Sequence, residues 1–422
     1  MDLFARLYYQ LRRFWKAIAL YFMISGPGLV VMIADNDAGG ITTYAATGAK
    51  YGYNLIWFLI ILVPVAYYVQ EMTVRLGAVT KRGHAEAIFD GFGSFWGWFS
   101  LLDLILVDWL TLVTEFIGMT SALRIFGIPD WLTIIAVCLL MFMMVLNGRY
   151  WTWEKIALAF CALNLIYIPA AIMVHPSISE VVGAGLLPNF PGGFNGDLFF
   201  FLMANIGTTI APWMLFFQQS SVVDKGMKEK DIPWGRADTW IGAVLTVVVA
   251  IFIVVLTGTV LKGIEISDAA EAAKKLMQTD RYVGAFMAIG LFDAGLLGAI
   301  CISLASSWAF GEIFGWAHSL NTKIKEAPWF YVNYFLTLAT AGAVVLIPGA
   351  PLVLITLFVQ VVAVTLLPAA LVFLILLLND RHTMGVYCNT PLQNWIGGVI
   401  VGVIIVLSTC YGISTLFPNF FN

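Results

Sequence analysis

The chain has 422 residues, of which 61% are hydrophobic and only 11% are charged, and its mean hydropathy is +0.90. This composition excludes an ordinary soluble domain and predicts an all-α polytopic membrane protein. The net charge of −3 and the lack of a basic face outside the apolar stretches give no support for nucleic-acid binding. Five cysteines are present without a CxxC pattern, so no disulfide framework is expected.

Eleven apolar stretches approach the length of about 20 residues that a membrane-spanning helix needs. They lie at 17–48, 54–78, 95–126, 131–147, 156–174, 197–223, 240–262, 282–312, 329–347, 351–379 and 395–417. If the N-terminus lies inside, the inner segments hold 16 of the 22 Lys and Arg residues, and the outer segments hold 6. Because cytoplasmic loops carry the excess of positive charge, we predict a bacterial inner-membrane protein with a cytoplasmic N-terminus and an extracytoplasmic C-terminus.

The first stretch is interrupted near its middle by the polar segment 35–40. A carboxylate at that depth is costly and usually marks a functional site, and a helix breaks there only where its freed backbone groups line a cavity or are buried in protein. We predict that Asp37 binds a cation beside the carbonyl of Ala34. Asp37 is alternatively a cap of the second half-helix, and the two roles can coexist. Asp35 points to a different face while the backbone stays helical, so it is not counted among the predicted ligands. Its alternatives are to face a water-filled vestibule, to pair elsewhere in the protein, or to coordinate the ion directly.

Two acids of the third stretch, Asp108 and Glu115, are seven residues apart and therefore share one helical face. For Glu115 the sequence leaves two interpretations open, which are a path for a proton or cation and a hydrogen-bonded acid within the membrane. For Asp108 the second interpretation is favoured.

The sixth stretch is interrupted at 205–213, where Pro212 removes a backbone donor and breaks the helix. Hydroxyl groups in this segment can satisfy the backbone groups that the break frees. Two threonines of this segment, Thr208 and Thr209, are candidate ligands. Two further residues, Asn205 and Trp213, are candidates for an ion path.

Broken helices five spans apart are typical of an inverted repeat of five plus five helices with a site between the breaks. Within a single transporter domain, the predicted repeats are 17–174 and 197–379, and the helix at 395–417 is an addition. The connections at 175–196 and 263–281 are predicted to be outer loops.

The residues at the two breaks offer hard oxygen donors and space. Gly40 and Ala211 leave room, and Gln360 in the tenth stretch is predicted to assist, with an interhelical hydrogen bond as its alternative. Such a site suits Mg²⁺, which keeps several waters, whereas soft ligands suit later transition metals. No histidine lies at a break, which argues against proton coupling. No nucleophile or phosphate-binding motif indicates an enzyme or ATP-driven transport.

Three segments of the chain resemble the Nramp divalent-metal transporters. They are 26–53, which contains Asp37-Ala38-Gly39-Gly40, then 207–213, and then 357–385. The resemblance covers most of the chain and keeps the family's order of spans. It implies a LeuT-like fold and the transport of a divalent metal ion.

Several positions depart from the family's pattern. Where the family has Asp-Pro-Gly-Asn, Ala38 replaces the proline and Gly40 replaces the asparagine ligand. Where the family has Met-Pro-His, Ala211 replaces the thioether ligand and Trp213 replaces the histidine that is tied to proton movement.

Other positions keep the family's residues. Glu115 matches a family glutamate, although Leu112 stands where an acidic partner is usual, and Gln360 matches a glutamine linked to the metal site. The whole pattern resembles the prokaryotic Nramp-related magnesium transporters. That resemblance implies a roomier site for a partly hydrated Mg²⁺, with Mn²⁺ also accepted.

We therefore predict a monomeric importer of Mg²⁺ and Mn²⁺ that works by alternating access, with no cofactor and no proton coupling. Its expected partners are the metal ion and the lipid bilayer. The alternatives are a proton-coupled Mn²⁺ or Fe²⁺ symporter of the Nramp type and an amino-acid transporter on the same scaffold. The predicted metal site comprises Asp37, Ala34, Gly40, Thr208, Thr209, Ala211 and Gln360.

Overall fold

The computed structural model describes residues 12, 26–146, 148–190, 192–348 and 352–416, and within these residues it contains helices and no strands. In chain order the α-helices are α1 (Pro27–Ala34), α2 (Ala38–Tyr51), α3 (Ile56–Thr80), α4 (His84–Phe92), α5 (Ser94–Arg124), α6 (Asp130–Val145), α7 (Tyr150–Asn164), α8 (Tyr167–Met173), α9 (Ile178–Gly185), α10 (Gly196–Gly207), α11 (Pro212–Asp224), α12 (Ile232–Val260), α13 (Ala269–Thr279), α14 (Arg281–Phe314), α15 (Pro328–Val345), α16 (Leu352–Asn379), α17 (Arg381–Met384) and α18 (Pro391–Leu416).

Each predicted span corresponds to one helix or to one broken pair. The first span is the pair α1 and α2, the fifth is α7 with α8, and the sixth is the pair α10 and α11. The beginning of the first predicted span, 17–25, lies outside the described residues. Among the described residues, seven helical segments are long and apolar enough on their own to cross a membrane. The prediction of an all-α polytopic membrane protein is confirmed.

The two connections that were predicted to be loops both contain helices. In the connection at 263–281, Asp268 caps α13 by accepting the N–H of Glu271 at 2.7 Å. Alanines and a leucine on one face of α13 are buried against the bundle, and they are Ala269, Ala272, Ala273 and Leu276. Asp-x-x-Glu before a run with helical spacing is an N-terminal signal, so the sequence contained the information. In the connection at 175–196 the short helix is α9.

Glycines let the central helices approach each other closely, as is common in membrane bundles. A Cβ at Gly28 of α1 would lie 2.7 Å from the backbone nitrogen of Thr239 in α12. A Cβ at Gly298 of α14 would lie 3.0 Å from the Cβ of Asp37 and 3.0 Å from Oε2 of Glu115. The first break is therefore held between α12 on one side and α5 with α14 on the other.

One end of α1 is held by acids from neighbouring helices. Asp238 of α12 accepts the N–H groups of Gly26 at 3.0 Å and Gly28 at 2.7 Å. Beside them, Glu154 of α7 forms a buried ion pair with Lys225 at the end of α11, with N–O distances of 2.9 and 3.1 Å. We call these three charged residues with the two glycines the α1 latch.

Candidate cation site between two broken helices

The first break exposes a backbone carbonyl at the centre of the bundle. In a continuous helix the N–H of Ala38 would bond to the carbonyl of Ala34. Here it donates instead to Oε2 of Glu115 at 2.9 Å. Asp37 has extended backbone angles and accepts the N–H of Gly40 on Oδ1 at 2.6 Å. Two carboxylates thus cap α2, and the Ala34 carbonyl is released from the helix.

The second break exposes carbonyls of its own. Pro212 has no N–H, so the carbonyl of Thr208 has no partner within the helix; it accepts the hydroxyl of Tyr44 at 3.1 Å. The N–H of Ala211 lies 3.3 Å from the sulfur of Met214 rather than bonding to the preceding turn. The break therefore turns backbone oxygens of α10 towards α2.

The threonine hydroxyls at this break are held in fixed positions. Oγ1 of Thr208 and Oγ1 of Thr209 both donate to the carbonyl of Asn205, at 3.1 and 2.8 Å. The hydroxyl of Tyr44 also lies 3.3 Å from Oγ1 of Thr209. Because their hydrogens are used in these bonds, the oxygens keep lone pairs that can face a cation.

The two breaks meet, and α16 lies across the junction. A Cβ at Gly40 would lie 3.2 Å from Oδ1 of Asp37 and 3.5 Å from Cβ of Thr208. A Cβ at Gly39 would lie 2.1 Å from Nε2 of Gln360, and one at Gly207 would lie 2.3 Å from the carbonyl oxygen of Gln360. The structure therefore brings the first break, the second break and the predicted glutamine of the tenth span together.

The remaining sequence candidates have identifiable neighbours. Ala211 is buried at the N-cap of α11. Trp213 is also buried, and its ring packs edge-on against Phe217 with centroids 6.1 Å apart. The amide of Asn205 donates to Oγ1 of Thr47 at 3.0 Å and so connects α10 to α2. Trp213 and Asn205, the two candidates for an ion path at the second break, thus have a packing contact and a bridging hydrogen bond, respectively.

The two acids of α5 have different environments. Glu115 is part of the first break, where it caps α2. Asp108, two turns earlier, accepts the hydroxyl of Ser306 at 2.6 Å. The hydrogen-bonded interpretation of Asp108 agrees with this contact, and Glu115 has a capping role that the sequence did not distinguish from an ion path.

Side chains at the breaks leave oxygen atoms without partners. Both carboxylate oxygens of Asp35, Oδ1 of Asn36 and Oδ1 of Asn205 are buried without a hydrogen-bond partner in the described part of the chain. Unpartnered donors are also present, at Nε2 of Gln360 and Nε1 of Trp213. Among the described residues no group of three or more His, Cys, Asp or Glu side chains can hold a metal ion. A cation at this place would therefore be bound by carbonyl oxygens and water as well as by acids.

The site is closed on both sides in this structure. Asp37, Ala34 and Thr208 are 2%, 1% and 1% exposed. Towards α13 a crevice lined by Ala38 and Thr42 has a volume of about 10 Å³, which is room for one water. On the side of α4 a cavity of about 140 Å³ is lined by polar residues that include Lys81, Glu86, Asp224, Glu312 and His318. Gly40 is itself buried, so the room predicted around it is not open to solvent in this structure.

Two helices broken near the middle of the bundle, around a buried carboxylate, define a membrane transporter of the LeuT-like class. The structure of MhsT in complex with L-phenylalanine has this fold, with a TM-score of 0.59 and 14% identity over 94% of this chain and 98% of that chain. A crystal structure of a manganese transporter from Eremococcus coleocola is more similar, with a TM-score of 0.79 and 20% identity over 96% of this chain and 89% of that one. At these identities the likeness shows the fold.

The chain belongs to the Nramp family. The family model described as natural resistance-associated macrophage protein-like matches residues 28–414. The divalent metal cation transporter MntH of Bradyrhizobium diazoefficiens is 25% identical over 419 residues, covering 93% of this chain and 89% of the relative. MntH of Lacticaseibacillus casei is 26% identical over 424 residues, covering 94% and 89%. The predicted family and LeuT-like fold are confirmed, and the relatives' names identify transporters rather than enzymes.

Proposed function

We propose that this protein imports Mg²⁺, and accepts Mn²⁺, across the bacterial inner membrane by alternating access and without proton coupling. The relatives named as divalent metal cation transporters support the substrate class. The observation that carries the choice of Mg²⁺ is the junction of the two breaks around Asp37. At that junction Gly40 and Ala211 supply no side-chain ligand, and the sulfur of Met214 lies 3.3 Å from the backbone nitrogen of Ala211. In this proposal oxygen groups and water complete the coordination of the ion.

Asp37 is the charged ligand in this proposal. Its Oδ1 caps α2, but a carboxylate has about four lone-pair sites, so capping and cation binding are compatible. The carbonyls of Ala34 and Thr208, the hydroxyl of Thr209 and the amide of Gln360 face the ion directly or through water. In the proposed orientation the half-helices α1 and α11 lie on the cytoplasmic side of the breaks. Their rotation away from the bundle would open the site to the cytoplasm.

The membrane potential is sufficient to drive uptake. An inside-negative potential contributes about 2.3 kcal/mol per charge per 100 mV, which is roughly 4.6 kcal/mol for Mg²⁺. Trp213 stands where the family has a histidine, and the buried histidine of α4, His84, bonds to Gln219 at 2.8 Å rather than to a residue of the breaks. These observations support transport without proton flux.

Two alternatives remain distinct from this proposal. A proton-coupled Mn²⁺ or Fe²⁺ symporter is favoured by the manganese transporter fold and by the proximity of Glu115 to Asp37. Such a protein would not carry Mg²⁺ when Mn²⁺ is absent, and its metal uptake would acidify the vesicle. An amino-acid transporter would need to hold a carboxylate beside Asp37, which repels it.

We also propose that the chain acts as a monomer built from the repeats 17–174 and 197–379.

The test is Mg²⁺ influx into proteoliposomes that contain a Mg²⁺-sensitive dye and hold an inside-negative potential. Asp37→Ala should abolish influx. Asp108→Asn, a change in an equally buried acid of α5 that accepts the hydroxyl of Ser306, should retain it. Influx should not change with an imposed pH gradient. Unchanged influx in Asp37→Ala would refute the assigned ligand, and proton entry that rises with Mg²⁺ uptake would refute uncoupled transport.

A further inference from the structure

Asp35 is a buried acid that the ligand set described above does not include. Its side chain is 1% exposed, and neither carboxylate oxygen has a hydrogen-bond partner in the described part of the chain. None of the ion pairs of the described residues includes it. Burying a carboxylate without compensation is costly, so an unpartnered pair of oxygens points to a partner that the protein chain alone does not supply.

The location of Asp35 brings it to the junction of the two breaks. It is the C-cap of α1, and its own carbonyl oxygen lies 3.1 Å from the position of a Cβ at Gly40. Its side chain lies within electrostatic range of Asp37 and of Tyr44, whose hydroxyl bonds to the carbonyl of Thr208. Asp35 is therefore on the side of the second break.

The neighbouring residues separate Asp35 from Asp37. Between them, Asn36 turns to α12 and donates its amide to the carbonyl of Thr246 at 3.1 Å. Asp37 faces the opposite helices, with its Cβ 3.0 Å from the position of a Cβ at Gly298 in α14. Asn36 and Asp37 thus leave the chain in different directions, and Asp35 remains within electrostatic range of Asp37.

We propose that Asp35 is a second acidic group of the cation site, which accepts hydrogen bonds from the waters of a partly hydrated divalent cation held by Asp37. This inference rests on the proposed function. Mg²⁺ commonly binds through one or two carboxylates and keeps several waters. A second carboxylate balances the second positive charge, and its acceptor oxygens match the hydrogens of metal-bound water.

The same arrangement makes Asp35 a determinant of specificity. A cation that keeps its waters depends on groups that bind those waters, and Mg²⁺ dehydrates reluctantly. A cation that loses water more easily contacts Asp37 and the carbonyls directly, so it depends less on Asp35. Loss of Asp35 should therefore weaken binding of Mg²⁺ more than binding of Mn²⁺.

The experiment measures Mg²⁺ and Mn²⁺ binding to the purified full chain by calorimetry, and uptake of both ions into proteoliposomes. Asp35→Asn should weaken Mg²⁺ binding by about tenfold, the size of effect expected when a group that positions metal-bound ligands is lost. Binding of Mn²⁺ should weaken by less than about threefold, because direct ligands remain. Asp35→Glu should recover most of the loss. Asp108→Asn, a change in a buried acid that accepts the hydroxyl of Ser306 at 2.6 Å, should leave the binding of both ions as in the parent.

The outcomes separate this inference from the proposed function. If the parent protein binds and imports Mg²⁺ and Asp35→Asn does so equally well, the role of Asp35 is refuted and the function stands. If the parent protein handles Mn²⁺ and not Mg²⁺, the proposed function fails. In that case the inference about Asp35, which concerns the waters of a hydrated Mg²⁺, fails with it.

Discussion

At the scale of single residues, the acids at the first break cap the second half-helix, and Asp37 is also the proposed cation ligand. Asp37 could be placed from the sequence, because an acid in the middle of an apolar span has few structural explanations. The direction of the Asp35 side chain and the capping role of Glu115 could not be predicted from the sequence. The direction of Asp35 depends on three non-helical residues, 35–37, for which helical periodicity gives no prediction, and the cap by Glu115 joins residues 77 positions apart.

The ligand identities at the breaks should decide which metal is preferred. Gly40→Asn together with Ala211→Met restores the amide and the thioether of the family pattern, and soft ligands favour later metals. We expect the ratio of Mn²⁺ or Cd²⁺ uptake to Mg²⁺ uptake to rise by at least about tenfold. Competition assays in proteoliposomes measure this ratio. An unchanged ratio would mean that selectivity is set elsewhere in the protein.

The role of Glu115 can be separated from proton transfer by two substitutions. Glu115→Gln keeps an oxygen that can accept the N–H of Ala38, so it should retain most Mg²⁺ uptake. Glu115→Ala removes the cap, which costs about 0.5–2 kcal/mol for comparable caps, and it should lower both uptake and the melting temperature. Dye-based uptake and thermal unfolding in detergent measure these effects. If Glu115→Gln is as inactive as Glu115→Ala, then the carboxylic acid itself is needed.

At the scale of helices, close packing around the breaks determines which movements are possible. The sequence predicted the spans and both interruptions from apolar length, proline and polar residues. It did not predict α9 and α13, because these short helices lack the long apolar pattern of a span. Only the N-terminal signal Asp268-x-x-Glu271 indicates α13. It also did not predict that Tyr44 of α2 would bond to the second break, since a contact between positions 164 residues apart depends on the packing of the bundle.

The contact of α10 with α16 should not tolerate a methyl group. A Cβ at Gly207 would lie 2.3 Å from a backbone oxygen of Gln360, and backbone cannot move aside as a flexible side chain can. Gly207→Ala should destabilise the closed structure by about 1–3 kcal/mol, as overpacking does, and strongly reduce uptake. As a control, Gly402→Ala in α18, where a Cβ meets nothing within 4 Å, should leave uptake unchanged. Normal uptake by Gly207→Ala would contradict the packing shown here.

The α1 latch should keep one side of the site closed. Removing one partner of a buried ion pair costs about 3–5 kcal/mol, so Lys225→Met should shift the protein towards a state in which that side is open. The test uses Ser220→Cys, which places a thiol in the lining of the cavity beside α4. We expect thiol reagents to modify this cysteine much faster in the Lys225→Met background than in the parent background. Lys50→Met breaks an exposed ion pair with Asp197 and should not change the rate, because such pairs contribute about 0–1 kcal/mol. Equal modification rates in the parent, Lys225→Met and Lys50→Met backgrounds would exclude a gating role for the α1 latch.

At the scale of the whole molecule, the distribution of Lys and Arg predicts the orientation in the membrane. Thr322 and Ser179 lie in connections that should face opposite sides, with Thr322 in the cytoplasm. In a background without Cys388 and Cys410, which are partly exposed, a membrane-impermeant maleimide should label a cysteine at 179 in intact cells and one at 322 only after lysis. The reverse pattern would invert the predicted orientation.

The caps at the first break have a consequence for the return of the unloaded protein. With no metal bound, Asp37 is still stabilised by the N–H of Gly40, and Glu115 by the N–H of Ala38. Backbone donors therefore offset the charge of these two acids whether or not an ion is bound, so we expect the return step to need no exchanged ion. A transporter that returns in this way carries out net uptake rather than exchange of one ion for another. Vesicles that contain no metal at the start should therefore still take up the metal.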